Sequence, residues 1–128
     1  MAAWTSDELG KIGNAEELEI ASLRGDGKLR KSRTIWVVRQ GDDLYVRSVN
    51  GRTSDWFRGT QDLHEGHIEA GGVDRDVRFE DVDTASDVHS QIDSAYRTKY
   101  SRYAANIINS TLTPKAQSAT LKLVPHSS

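Results

Sequence analysis

The chain contains no cysteine, which excludes disulfides, thiolate nucleophiles and thiolate-bound metals. Proline is rare, at two residues, and no apolar run is long enough to span a bilayer. The opening residues, Met1 to Glu8, have neither a basic stretch nor an apolar core. No secretory signal is therefore expected, and the expected compartment is the cytoplasm. Hydrophobic residues are lean at 36%, with a mean hydropathy of -0.63. Three Trp, four Tyr and two Phe still supply bulky core material. At 128 residues, this suits one folded domain, 1–128, and argues against a disordered chain.

Net charge is also small, at -2, which argues against a general nucleic-acid binder. The charge is unevenly placed. Between Arg24 and Arg58, nine Lys and Arg face four Asp and Glu, a local surplus of +5 that leaves -7 on the rest. That surplus marks where an anion would go.

Periodicity and turn chemistry set out the elements. Thr5 and Glu8 have capping-box spacing, with Trp4 and Leu9 placed as a hydrophobic staple, so a helix is expected over 5–12. Gly13-Asn14 is read as its left-handed C-cap. Leu18 and Ile20 then alternate with Glu19, as in a strand. After the turn Gly25-Asp26-Gly27, the segment Thr34 to Val38 reads as a central strand, rich in β-branched and aromatic residues. Gly41-Asp42-Asp43 is a hairpin turn, and Leu44 to Val49 is the return strand.

Asn50-Gly51 opens a polar loop with one helical turn around Trp56, Phe57 and Arg58, capped by Ser54 or Asp55. Short strands fit around Ile68 and Val77–Phe79, divided by Gly71-Gly72. A long or broken helix is expected over about 85–110, with Thr84 as N-cap and Pro114 closing the region. Ala119, Leu121 and Leu123 alternate in a last strand over 118–124. Strands thus fill about 17–82 and 118–124. Six short hairpin-connected strands form an antiparallel sheet, and curling it into a barrel removes the exposed edges.

The run Gly27 to Arg39, followed by Gly41 to Ser48 and Trp56-Phe57-Arg58, resembles the split β-barrel oxidoreductases that bind flavin or deazaflavin. The segments Gly66 to Val73, Arg75-Asp76-Val77 and Thr120 to Pro125 resemble a narrower, uncharacterised family, the DUF2255 type, with the same fold. The resemblance implies an α+β fold: a six-stranded antiparallel split β-barrel of the FMN-binding, pyridoxamine-phosphate-oxidase-like kind, with flanking helices. It further implies a homodimer holding FMN or deazaflavin; charge, hydropathy and histidine spacing add the expectation of no nucleic acid, membrane or metal as partner. Carried over by position, it places the cofactor on Lys31, Arg33, Thr34, Ile35 and Trp36, on Ser48, Asn50, Gly51 and Arg52, and on Trp56 and Arg58. The chain departs from the deazaflavin pattern at Ile35, where Pro is common, and near Asn50, where Lys is common.

The residues themselves support two readings. Five positive charges in Arg24 to Arg33 suit a phosphate, because Arg forks bind its oxygens bidentately, but they also suit a charged hairpin edge that resists aggregation. Ser48 with Asn50-Gly51 could present a nest of N–H groups to an anion or simply turn the chain. Trp36 and Trp56 could stack on a ring or pack in a core or dimer interface. His64-Glu65-Gly66-His67 lacks the zincin spacing and reads as a polar loop entering a strand. No nucleophile–base arrangement is recognisable, so catalytic residues are not assigned and any hard chemistry belongs to a cofactor. The expected function is cofactor binding, with hydride transfer to a small organic acceptor. The alternative is a non-enzymatic binder of a phosphorylated or anionic small molecule on the same fold.

Overall fold

A computed structural model describes residues 3–126. Helix α1 (Ser6–Gly13) begins at the capping box: Thr5 Oγ1 accepts from the Glu8 N–H at 3.1 Å, and Glu8 accepts from the Thr5 N–H at 3.0 Å. Trp4 and Leu9 are buried together as the staple requires, and the Trp4 indole N–H donates to Leu123 O at 2.9 Å. Arg75 Nη1 meets the other Glu8 oxygen at 2.8 Å and fastens the helix to the sheet. The Thr5 N–H and then Arg75 hold the Glu8 carboxyl below its usual range. The C-cap, Asn14, is right-handed (φ -95°), so the helix ends without the expected left-handed residue.

The strands are β1 (Leu18–Ser22), β2 (Arg33–Ile35), β3 (Val38–Gln40), β4 (Asp43–Arg47), β5 (Glu65–Ala70), β6 (Val73–Asp81) and β7 (Thr120–Pro125). All pairings are antiparallel, in the order β2-β1-β5-β6-β7-β4-β3. The sheet is curled and seven-stranded, where six strands were expected. The extra strand arises because the segment expected as one strand from Thr34 breaks at Trp36-Val37 into β2 and β3. The two halves form opposite edges of the sheet, so a single bent stretch of chain links both edges.

Both tight hairpins follow turn chemistry. Gln40 pairs with Asp43 across Gly41-Asp42, and Ala70 with Val73 across Gly71-Gly72. Gly41 (φ 65°), Gly71 (58°) and Gly72 (87°) occupy the left-handed region that these two-residue loops demand. Alternation then sets the faces. Leu18, Ile20, Leu44, Val46, Ile68, Val77, Phe79, Leu121 and Leu123 bury inward with Phe57 in the main core.

The remaining helices are α2 (Asp55–Leu63), α3 (Val88–Lys99), α4 (Ala105–Asn109) and α5 (Pro114–Gln117). The expected polar loop after Asn50 is therefore a short 3-10 turn, Gly51–Thr53, and a nine-residue helix. Sequence periodicity missed most of α2 because its polar residues outnumber its buried ones, Phe57, Gly59 and Thr60. The 85–110 segment is broken: α3 starts after Asp87 rather than Thr84, and Tyr103 lies beyond its end. Pro114 opens α5 at its first turn instead of closing a helix, since its missing N–H costs nothing there.

A second cluster packs α3 against β3 and β4 through Val38, Tyr45, Ile92, Tyr96 and Tyr100. Beside it lies Arg47, whose side chain is 0% exposed. Its Nε donates to Thr120 Oγ1 (3.0 Å), and its Nη1 to Asp93 Oδ1 (2.5 Å) and Thr111 O (2.9 Å). Its Nη2 lies 3.1 Å from His89 Nδ1. Arginine only donates, so His89 Nδ1 accepts and its proton sits on Nε2, which meets Asp83 O at 2.9 Å. Arg47→Ala leaves the half-buried Asp93 carboxylate with Gln117 as its remaining donor, and should destabilise the fold by about 3 kcal/mol in urea denaturation. A loss within about 0.5 kcal/mol, as for an ordinary surface change, would show that the network carries no stability.

Candidate functional site

Arg30 organises the site. The β1–β2 hairpin turns at Gly25-Asp26-Gly27, where the Lys28 N–H donates to Asp26 Oδ1 at 3.0 Å. The chain then returns so that the Arg30 N–H donates to Ser22 O at 2.9 Å. The Arg30 Nη1 group reaches Ser22 Oγ (3.3 Å), Leu23 O (3.0 Å) and Gly59 O (3.2 Å). Its Nη2 pairs with Asp62 at 2.6 Å. The hairpin is thereby fixed onto α2, and only glycine at 59 leaves room, because a Cβ there would meet Ser22 Oγ and Arg30 Cδ.

Between hairpin and helix lies a cleft of about 130 Å³ lined by Ile20, Ser22, Arg30, Lys31, Arg33, Asp55 and Trp56. Three residues expected at the site, Lys31, Arg33 and Trp56, meet here. Arg58 lines an adjoining cleft with Arg30, Asp55, Gly59 and Asp62, and sits 3.8 Å from Asp55. Several of the positive charges are already used. Arg24 pairs with Asp26, Arg30 with Asp62, Arg39 with Asp42 and Arg47 with Asp93. Among the described residues, Lys31 and Arg33 are the two cations of the cleft whose side chains have no hydrogen-bond or ion-pair partner. No side chain caps the start of α2 at the same cleft, because Ser54 Oγ turns instead to Ser48 Oγ at 2.7 Å.

The other expected residues lie elsewhere. Arg52 donates to Ser118 O (2.9 Å) and Gln61 Oε1 (3.2 Å), and its guanidinium lies over Phe57. Gly51 is buried beneath the Lys115 side chain, and neighbouring Asn50 is exposed. Thr34 Oγ1 bonds to the Glu19 carboxylate at 2.8 Å, and Ile35 packs on the main core. Trp36 stacks on Tyr100, with centroids 3.8 Å apart and planes 4° apart, so that face of the ring is occupied. Sequence reasoning did not single out Ile20, Ser22 or Asp55 as site residues, and held Arg30 only as part of the basic run Arg24 to Arg33. The capping role proposed for Ser54 or Asp55 was the nearest signal.

The histidines of the 64–67 motif have separate partners. His64 meets Asp81 at 3.4 Å, whereas His67 lies in β5 between Asp76 (2.7 Å) and Asp74. Burial works against the His67 imidazolium, but hydrogen bonds to Asp76 and Asp74 outweigh it and raise its pKa. Among the described residues, no group of three or more His, Asp or Glu could hold a metal ion, and no helix is long and apolar enough to cross a membrane.

A curled antiparallel sheet with a bent strand joining its edges, and a cationic cleft against one helix, defines a split β-barrel protein. The chain belongs to the DUF2255 family, described as an uncharacterized protein conserved in bacteria, whose model matches residues 8–123. No curated protein matches it in sequence. It is similar in structure to the heme storage protein HutZ of Vibrio cholerae, with TM-score 0.64, 14% identity, and 96% of this chain and 91% of that one covered. It is also similar to an F420 reductase, with TM-score 0.57, 13% identity, and 93% of each chain covered. A FAD-binding protein of Mesorhizobium loti aligns with TM-score 0.57 and 14% identity, over 98% of this chain and 92% of that one. At these identities the likeness shows the fold alone.

The Trp36–Tyr100 stack continues to Lys99, whose Nζ donates to Val37 O at 2.6 Å. Burial depresses the Lys99 pKa to about 8 from its usual 10.5, and burial raises Tyr100 above its usual 10.0. The folded state therefore binds fewer Lys99 protons than the unfolded state between about pH 8 and 10.5, so stability rises with pH across that window. Above pH 10 the unfolded chain loses the tyrosine proton first, and stability falls. Urea midpoints should climb from pH 8 to about 10 and then drop. In Lys99→Met the climb should vanish.

Proposed function

We propose that this protein binds a phosphorylated, flavin-type cofactor, FMN or a deazaflavin, with the anionic end held by Lys31 and Arg33. The observation that carries this reading is that these two cations line a cleft without protein partners, while several of their neighbours are neutralised. An anion there gains charge-assisted hydrogen bonds and lies near the start of α2, which no side chain caps. Trp56 supplies the aromatic wall. The split-barrel fold shared with a FAD-binding protein and an F420 reductase supports the cofactor class. When bound, such a ring supplies hydride chemistry toward a small organic acceptor, and the protein supplies anchoring and orientation.

The cleft volume bears on how much of the ligand one chain encloses. At about 130 Å³ it admits a phosphate-sized group, below the roughly 300–1,000 Å³ usual for whole ligands. The ring then lies outside the cleft, and a homodimer would provide its second wall. The same volume favours a second reading, a non-enzymatic binder of a small phosphorylated molecule.

Absorbance titration with FMN, FAD and deazaflavin, with heme as a control, tests the first reading. A saturable flavin shift is expected. Lys31→Ala and Arg33→Ala should each weaken binding about tenfold or more, since a charged hydrogen bond contributes about 1.5–3 kcal/mol. No shift with any flavin, together with retained binding of inorganic phosphate, selects the second reading.

A further inference from the structure

A separate cleft of about 310 Å³ lies where α1, β3 and α3 meet. Buried Leu9 and Val38 form part of its wall, and its polar side chains include Arg39 and Lys99. On the α1 side it is lined by two glycines, Gly10 and Gly13. Glycine is the poorest helix former after proline, so two in one eight-residue helix call for a reason. Gly13 has a packing reason, because a Cβ there would stand 3.2 Å from the Arg39 Cβ. Gly10 has none, since a Cβ there would meet nothing within 4 Å. Its missing side chain leaves open space in the cleft.

Lys99 and Arg39 bring complementary chemistry to that space. Lys99 is half-buried, and among the described residues its amine donates only to Val37 O, at 2.6 Å. That carbonyl also lies 3.1 Å from the Tyr100 hydroxyl, so a donor stays beside it when the amine turns away. Burial pushes the Lys99 amine down to about 8, against an opposing pull from Glu16. Far more of it is therefore the neutral nucleophile near neutral pH than of an exposed lysine. Arg39 is loosely held. Its Nε donates to Gly41 O at 2.8 Å, and its Nη2 lies 3.9 Å from the exposed Asp42 carboxylate. A guanidinium with donors to spare suits a carboxylate.

We infer that this cleft is a carbonyl-binding site, in which Lys99 forms a reversible imine with a small 2-oxo acid whose carboxylate is held by Arg39. The neutral Nζ adds to the oxo carbon. The two amine hydrogens leave with the oxo oxygen as water, and a C=N bond replaces the C=O bond. No electrons are gained or lost. The cleft shares no lining residue with that of Lys31 and Arg33, so the inference stands or falls separately from cofactor binding.

The test is reductive trapping of the full chain with cyanoborohydride near neutral pH, using glyoxylate and acetaldehyde as probes and mapping the adducts by peptide mass spectrometry. Glyoxylate should label Lys99 about tenfold or more faster than the exposed Lys28 and Lys115. The glyoxylate-to-acetaldehyde rate ratio should be higher at Lys99 than at Lys28, and Arg39→Gln should bring the two ratios together. Gly10→Leu, which puts a side chain into the open space, should slow labelling of Lys99 by both probes and leave Lys28 unchanged. A lysine that only ties the bend at Val37 would be labelled more slowly than the exposed lysines. That result overturns the inference, as does a rate ratio equal to that of Lys28 or labelling of Lys99 that Gly10→Leu fails to slow.

Discussion

The architecture depends on how the chain is held where it bends at Trp36-Val37. A strand that leaves one sheet edge to join the other must abandon its ladder, and its backbone groups then need other partners. Tyr100 and Lys99 provide them. The Val37 N–H donates to the Tyr100 hydroxyl at 3.2 Å, and Val37 O accepts from Lys99 Nζ at 2.6 Å. The Tyr100 hydroxyl also donates to Glu16 O at 2.9 Å, joining the bend to the approach of β1. Trp36 lies flat on the Tyr100 ring, which closes the bend to water. Helix α3 therefore does more than cover the sheet: its C-terminal end completes the hydrogen bonding that lets β2 and β3 diverge.

The Arg47 network secures the same helix near its N-terminal end. It draws together β4, β7, α3 and the turn after α4 around one buried guanidinium. A buried charge of this kind is weak evidence for high stability, because desolvation offsets much of the attraction. Its larger consequence is geometric, since its three nitrogens bond to four groups on separate elements. The next residue, Ser48, is thereby positioned to take the Ser54 hydroxyl, which leaves the start of α2 uncapped where the cleft lies.

The cleft is thus a by-product of commitments made elsewhere. Arg30 is used to lock the hairpin to α2, Arg52 to hold the C-cap of α5 at Ser118, and Arg58 leans weakly on Asp55. What remains is Lys31 and Arg33 beside Trp56, at the entry to the edge strand where the hairpin meets the helix. The sequence showed the surplus of positive charge. It could not show which cations were already neutralised, because their partners, such as Asp62 for Arg30, lie far along the chain.

Local rules were enough for everything that depends on neighbours a few residues apart. The Thr5–Glu8 capping box, the hairpin at Gly41-Asp42, the Gly71-Gly72 turn and the inward alternation of Leu121 and Leu123 all follow from spacing and residue type. With them, the sequence determined an antiparallel β structure with flanking helices. The tertiary structure alone decided that one expected strand divides into two edges, that Arg47 is buried, and that the expected helical turn around Trp56 extends to the nine residues of α2. The physical reason is distance along the chain: Val37 and Tyr100 are 63 residues apart, and Arg47 and Asp93 are 46 apart. Such partners meet only in the assembled fold, and no periodicity or turn preference records them.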